Sequence, residues 1–173
     1  MNIGFTINCC LVLICVVSVI MDVLTWKISN IWLFTWMIVG VVFKGLLRIS
    51  GGFAGALLGI LVPVLILGVF FYFRMIGAGD IKLFCALGAW MGPGSILMCM
   101  LWSFAAAGVM AVISLLMNKN TKERFRYLGD HVRRLFGSAV KVDYGIKNAG
   151  KARIHVSIPI LIGIICKIIG VYA

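Results

Sequence analysis

Acidic side chains are nearly missing from this sequence: Asp22, Asp80, Glu123, Asp130 and Asp143 are the whole supply, against sixteen Lys and Arg. Charge of either sign is scarce too, at 12% of residues, where a soluble domain usually carries about 25%. A water-soluble globular domain is thereby excluded. Histidine occurs only as His131 and His155, with no acid or cysteine at metal-ligand spacing around either, so a metal centre has no support. No two of Cys9, Cys10, Cys15, Cys85, Cys99 and Cys166 stand in the C-x-x-C spacing of a zinc or redox site. All six fall in apolar runs and read as small buried hydrophobes. A P-loop, a G-x-S-x-G elbow and an H-E-x-x-H element are missing as well. Serines inside apolar runs, such as Ser18 and Ser103, lack a base on the same face and are expected to bond backbone carbonyls or pack between helices. No cofactor is implied.

What the chain does have is apolar sequence. Hydrophobic residues make up 63% of it and the mean hydropathy is +1.15, so the solvent for most of its 173 residues is lipid. That length allows roughly five to seven spans of about 20 residues. The expected fold is all-α: a polytopic membrane protein of about six transmembrane segments with one long basic cytoplasmic loop. Apolar runs cover residues 3–21, 31–47, 51–73, 81–91, 95–117 and 156–172. Pro63 lies inside the third run, where neighbours can satisfy the carbonyl it frees. The fourth run is the shortest and looks too short to cross unaided. The first lacks a basic n-region and a small-residue cleavage site, so it is expected to be a retained span rather than a signal peptide. A single membrane domain is expected over residues 1–173, with residues 118–155 as its loop.

Ten of the sixteen basic residues lie between Lys119 and Arg153. A formal charge of +11 would suit nucleic acid, but this clustering in the one long non-apolar stretch reads as a cytoplasmic retention signal. The same residues are placed to touch anionic lipid headgroups; no nucleic acid partner is expected. With six crossings, the connections between segments 1–2, 3–4 and 5–6 share one side and hold Lys27, Arg74, Lys82 and those ten residues. The opposite side and the remaining spans offer Lys44, Arg48 and Lys167. The imbalance makes the three connections cytoplasmic and puts both termini outside, in the plasma membrane. Were the fourth segment not to cross, the basic loop would fall on the wrong side. Within the loop, Phe125, Leu128, Val132 and Leu135 recur at about helical spacing, predicting a helix near 122–136.

Asp22 and Asp80 then face one compartment, and these two acids alone abut apolar segments. A carboxylate in that position is a functional candidate whose partner must be named. Asp80 follows Gly77-Ala78-Gly79, where glycines allow a sharp turn and close approach, and it precedes an apolar run as a helix N-cap would. Two carboxylates brought close share a proton. One then takes a proton from water while the other polarises a peptide carbonyl, with neither metal nor covalent nucleophile. Lys27 and Lys82 stand nearby, as charges favouring ionisation or as helix-end anchors.

At these residues the sequence resembles the type IV prepilin peptidases, membrane aspartyl proteases that process pilin-like precursors. The family's first catalytic Asp follows the first span and precedes basic residues and an Ile-Pro-Asn element, here Asp22-Val-Leu-Thr-Trp-Lys27-Ile28-Ser29-Asn30. Its second belongs to a G-x-G-D-x-K element, here Gly77-Ala78-Gly79-Asp80-Ile81-Lys82. A loop ending in proline before the last span is matched by His155-Val-Ser-Ile-Pro159. Ser29 stands where the family usually has proline; serine can serve there as a polar helix-start residue. The resemblance implies Asp22 and Asp80 as catalytic residues, with Gly77, Gly79, Lys82, Lys27 and Asn30 as supporting motif positions. It also implies a substrate, a precursor with a short basic leader before a hydrophobic helix, cut at the cytoplasmic face. The paired C-x-x-C region of longer members is lacking, so a peptidase without the methyltransferase is expected, similar to those of tight-adherence pilus systems and to preflagellin peptidases. From the residues alone, two readings stay open beside it: a non-catalytic membrane scaffold using the basic loop, or a proton-coupled transporter carrying protons on the two aspartates.

Overall fold

The computed structural model describes residues 3–25, 28–49, 51–73, 76–117 and 157–170. Every regular element among them is a helix: α1 (Ile3–Thr25), α2 (Asn30–Leu47), α3 (Gly52–Tyr72), α4 (Ala78–Met91), α5 (Pro93–Met117) and α6 (Ser157–Ile168). The chain divides into one unit of Met1–Ala107 with His155–Ala173, and a second of Gly108–Ile154. The described part of the second unit is the final stretch of α5, residues 108–117. The expected helix at 122–136, the loop as a whole, Lys27 and both histidines lie outside the described residues.

Four helices are long and apolar enough to cross a membrane: α1, α2, α3 and the Ile113-ending part of α5. Their outward faces carry Phe5, Leu24, Ile31, Leu57, Leu65, Val69 and Leu101, all exposed. An apolar surface this continuous is a membrane-facing one. The chain is a membrane protein.

The helix bounds differ from the apolar runs at several ends. The first helix does not stop at Asp22; it runs on to Thr25, whose hydroxyl donates to the Met21 carbonyl at 2.8 Å. Asp22 therefore lies in a helical last turn, not in a connection. Likewise α4 begins at Ala78, before Asp80, with Gly77 as its N-cap. Asp80 is the third helical residue and not the cap. The last helix is shorter than the apolar run that contains it, and Gly170 at φ 85° follows its end.

The fourth helix is the centre of the fold. Its 14 residues span about 21 Å, less than the roughly 30 Å of a hydrocarbon core. It is also apolar on every side, and all of Leu83 to Met91 is buried. A helix hydrophobic all round must be surrounded, and α4 packs against α3, α2 and α1. Its closest neighbour is α3, along two facing G-x-x-x-G pairs, Gly55/Gly59 and Gly88/Gly92. A Cβ on Gly59 would land on the Gly88 carbonyl oxygen, and one on Gly88 would land on the Gly59 oxygen. Only glycines let two helix backbones approach so closely. Pro63 completes the arrangement. Lacking an N–H, it leaves the Gly59 carbonyl without its helical donor, and that oxygen is the one turned toward Gly88.

On the other flank, the Trp90 indole donates to the Trp36 carbonyl of α2 at 2.9 Å and leans over Gly40. Phe84 of α4 stacks on Phe104 of α5, with ring centroids 6.3 Å apart. The serines behave as expected, Ser18 donating to Ile14 and Ser103 to Cys99, each at 2.7 Å. Cysteine burial holds only in part. Cys15, Cys85 and Cys99 are buried, whereas Cys9 is exposed on α1 and Cys10 and Cys166 are half-buried, because these helices turn one face outward.

Candidate active site

The two aspartates arrive from opposite ends of their helices, Asp22 from the last turn of α1 and Asp80 from the first turn of α4. Because α1 packs against α4, these ends meet. The Asp22 charge is close enough to act on Asp80. Both side chains are half-buried.

Their surroundings differ. The Asp22 carboxylate accepts a 2.6 Å hydrogen bond from the hydroxyl of Ser157, which is fully buried at the start of α6. So short an O–H···O contact is typical of a charge-assisted bond. The first residue of α6 also brings the positive end of a helix dipole to Asp22. Asp80 instead sits outside the four spanning helices, at the mouth of the enclosed α4. Burial and then the neighbouring Asp22 charge push its carboxyl from 3.8 up to about 6, against a hydrogen bond from the Gly77 backbone that pulls down. That bond is half of a capping box, in which the third helical residue reaches back to the cap.

Of the two motif glycines, neither adopts a left-handed conformation. Gly77 is extended at φ −76°, ψ 146°. A side chain there would stand 3.2 Å from Asp80 Oδ2, while Gly79 has open space. The requirement at Gly77 is room for the carboxylate, not a turn.

Lys82 does not pair with either aspartate. Two residues along a helix is a rotation of about 200°, so Lys82 points away from Asp80, toward α2. Its ammonium donates to Asn30 Oδ1 at 2.9 Å and lies 5.8 Å from the Phe34 ring centre. The two motif elements of the sequence are thus tied by Lys82 and Asn30 on one flank of α4, and meet as Asp80 and Asp22 on the other. Ser29 is the N-cap of α2 by position, but its side chain makes no capping bond.

The model of the type IV leader peptidase family matches residues 9–112, which contain both aspartates and most of the chain's described helices. The chain belongs to that family. It is a peptidase, and a leader peptidase in general class. No curated protein and no solved structure matches it.

For this leader peptidase, sequence reasoning missed Ser157. The residue lies 135 positions from Asp22 and beyond the family match. Its sequence signal was a lone hydroxyl at the start of the last apolar run. The facing glycine pairs of α3 and α4 were missed too, although their four-residue spacing is visible in the sequence.

Proposed function

We propose that this chain is a membrane aspartyl endopeptidase, removing the short basic leader of type IV prepilin-like or preflagellin-like precursors at the cytoplasmic face. The observation that carries the proposal is the meeting of Asp22 and Asp80 in unlike environments. Ser157, at the N-terminus of α6, orients the Asp22 carboxylate through a 2.6 Å hydrogen bond. Burial beside that charge favours a proton on Asp80. The raised carboxyl of Asp80 then serves as the acid and Asp22 beside it as the base.

In the proposed reaction Asp22 takes a proton from a water molecule, whose oxygen attacks the scissile carbonyl carbon. Asp80 gives its proton to the carbonyl oxygen as charge develops there. The tetrahedral intermediate collapses with cleavage of the C–N bond. The leaving amine takes the proton held by Asp22, and the new carboxyl returns one to Asp80.

The topology that goes with this reading has α1, α2, α3 and α5 crossing the lipid, while α4 and α6 return the chain within the protein. Gly59 abuts Gly88, and Gly92 lies by Gly55, so α4 ends level with the start of α3 despite its length. Protein, not lipid, surrounds the shortfall. The connections carrying Lys27, Arg74 and the loop 118–155, with the start of α4 that holds Lys82, are then cytoplasmic, with both termini outside a plasma-membrane peptidase domain spanning 1–173. The substrate is a precursor whose hydrophobic helix lies in the membrane and whose leader reaches the helix ends where the aspartates meet.

Asp22→Asn and Asp80→Asn, made singly, are expected to abolish leader removal from a pilin-like precursor while membrane insertion is unchanged. Should both variants still cleave, the aspartyl mechanism is wrong.

A further inference from the structure

Lys44 is 0% exposed in the last turn of α2, and its ammonium has no hydrogen-bond partner. An ammonium out of water without a partner is strongly unfavourable, and an ionisable group at membrane depth calls for a named partner. The aspartate site does not supply it. Asp80 opens α4 and Gly92 follows its end, a separation of about 18 Å along the helix. Among the described residues there is no other carboxylate.

Nζ of Lys44 is aimed at the turn between α4 and α5, 3.0 Å from where a Cβ of Gly92 would stand. Gly92 precedes α5 and accepts the Ile96 N–H at 3.1 Å. Beyond it Pro93 has no N–H, while the amides of Gly94 and Ser95 belong to a first helical turn, where N–H groups lack helical partners. This is the positive end of a 25-residue helix. The carbonyls ending α4 lie at the same turn, yet none accepts from Lys44. Lys167, in the last turn of α6, is within electrostatic reach of Lys44. Arg48, exposed at the end of α2, adds a third cation to that end of the helix. Both lysines stand in the last turn of a helix, where a cation is favoured, but Lys44 is also fully buried and without a partner.

From this arrangement we infer that Lys44, Lys167 and the N-terminus of α5 form a binding site for a phosphate oxyanion, on the opposite side of the molecule from the aspartates. A phosphate takes both charge-assisted bonds from ammonium groups and bonds from helix-start amides. Lys44 stands three residues from the end of α2, about 4.5 Å along the axis, near the end of a helix long and apolar enough to cross a membrane. A phospholipid headgroup is therefore the expected source, with free phosphate as the other source of the same chemistry.

The full chain, purified in detergent and stripped of lipid, is titrated with mixed micelles containing phosphatidylglycerol and, separately, with inorganic phosphate. Thermal unfolding and native mass spectrometry are the readouts. Wild type is expected to show a saturable rise in unfolding temperature and one bound phospholipid per chain. In Lys44→Met, affinity should fall about 10-fold or more, as for loss of a charged hydrogen bond. Lys167→Met, which leaves Lys44 in place, should weaken binding by a smaller factor and serves if the first variant does not fold. A response to inorganic phosphate alone assigns the site to free phosphate. No saturable response of wild type to either probe overturns the inference, as does wild-type affinity in the folded variants.

Discussion

Replacing Ser157 by alanine isolates one bond of the proposed dyad. The Ser157 hydroxyl donates to Asp22 Oδ2 at 2.6 Å and is fully buried, so water does not readily take its place. A hydrogen bond to a charged group contributes about 1.5–3 kcal/mol. The bond fixes the direction of the Asp22 carboxylate that must take a proton from water, so its loss bears on the geometry of the reacting state. At about 1.4 kcal/mol per factor of ten, Ser157→Ala should lower kcat for leader removal roughly 10- to 100-fold. Binding of the precursor should change little, because the hydroxyl faces Asp22 and not the substrate. Ser157→Thr keeps the hydroxyl and should restore most of the rate. The assay is cleavage of a purified prepilin-like precursor in detergent micelles, with kcat and KM determined separately and the gel shift of the shortened product as the signal. A Ser157→Ala enzyme within about twofold of wild type would refute the assignment of Asp22 as the base held by this bond. A rise in KM with unchanged kcat would instead place Ser157 in substrate binding.

Gly59→Ala puts a methyl group on the Gly88 carbonyl, where no flexible side chain can yield; α3 and α4 must separate, at a cost of about 1–3 kcal/mol. Gly68→Ala, with open space around it, should be neutral, and equal thermal stability of the two variants in detergent would disprove the close-contact reading. Asp80 is raised from 3.8 to about 6 in the folded chain, so its contribution to stability is present below the ordinary value and lost as pH rises through about 6. Unfolding temperature of wild type relative to Asp80→Asn should therefore fall across that window, and parallel profiles would remove the raised carboxyl. Ser29 already holds φ −62°, the angle proline imposes, and its side chain makes no cap bond. Ser29→Pro should stabilise by about 0.4–1 kcal/mol, measured by thermal unfolding; a loss of stability would show that the position needs its N–H.

Much of the site was legible because acids are so rare in this chain. With lipid as solvent for most of the sequence, a carboxylate next to an apolar run is costly enough to be conspicuous, and only Asp22 and Asp80 were so placed. The Gly77-to-Lys82 element was legible as a unit, but its internal geometry was not. Asp80 and Lys82 look like neighbours in sequence and diverge by more than half a turn of helix, which sends the lysine to Asn30. Ser157 was hidden for a different reason. A hydroxyl at the head of an apolar run has several ordinary uses, and only the packing of α6 against α1 selects one.

Composition and hydropathy were sufficient by themselves for a helical membrane protein and for its two candidate acids, since both follow from what each residue does in lipid regardless of its neighbours. Helix ends, the central position of α4 and the unlike environments of Asp22 and Asp80 were decided only in three dimensions. Each depends on contacts between residues far apart in the chain: glycine against glycine across α3 and α4, a serine 135 residues from its aspartate, one carboxylate beside another. Sequence spacing, even the four-residue step of the glycines, does not say which residues face each other, because it is the fold that brings their partners together.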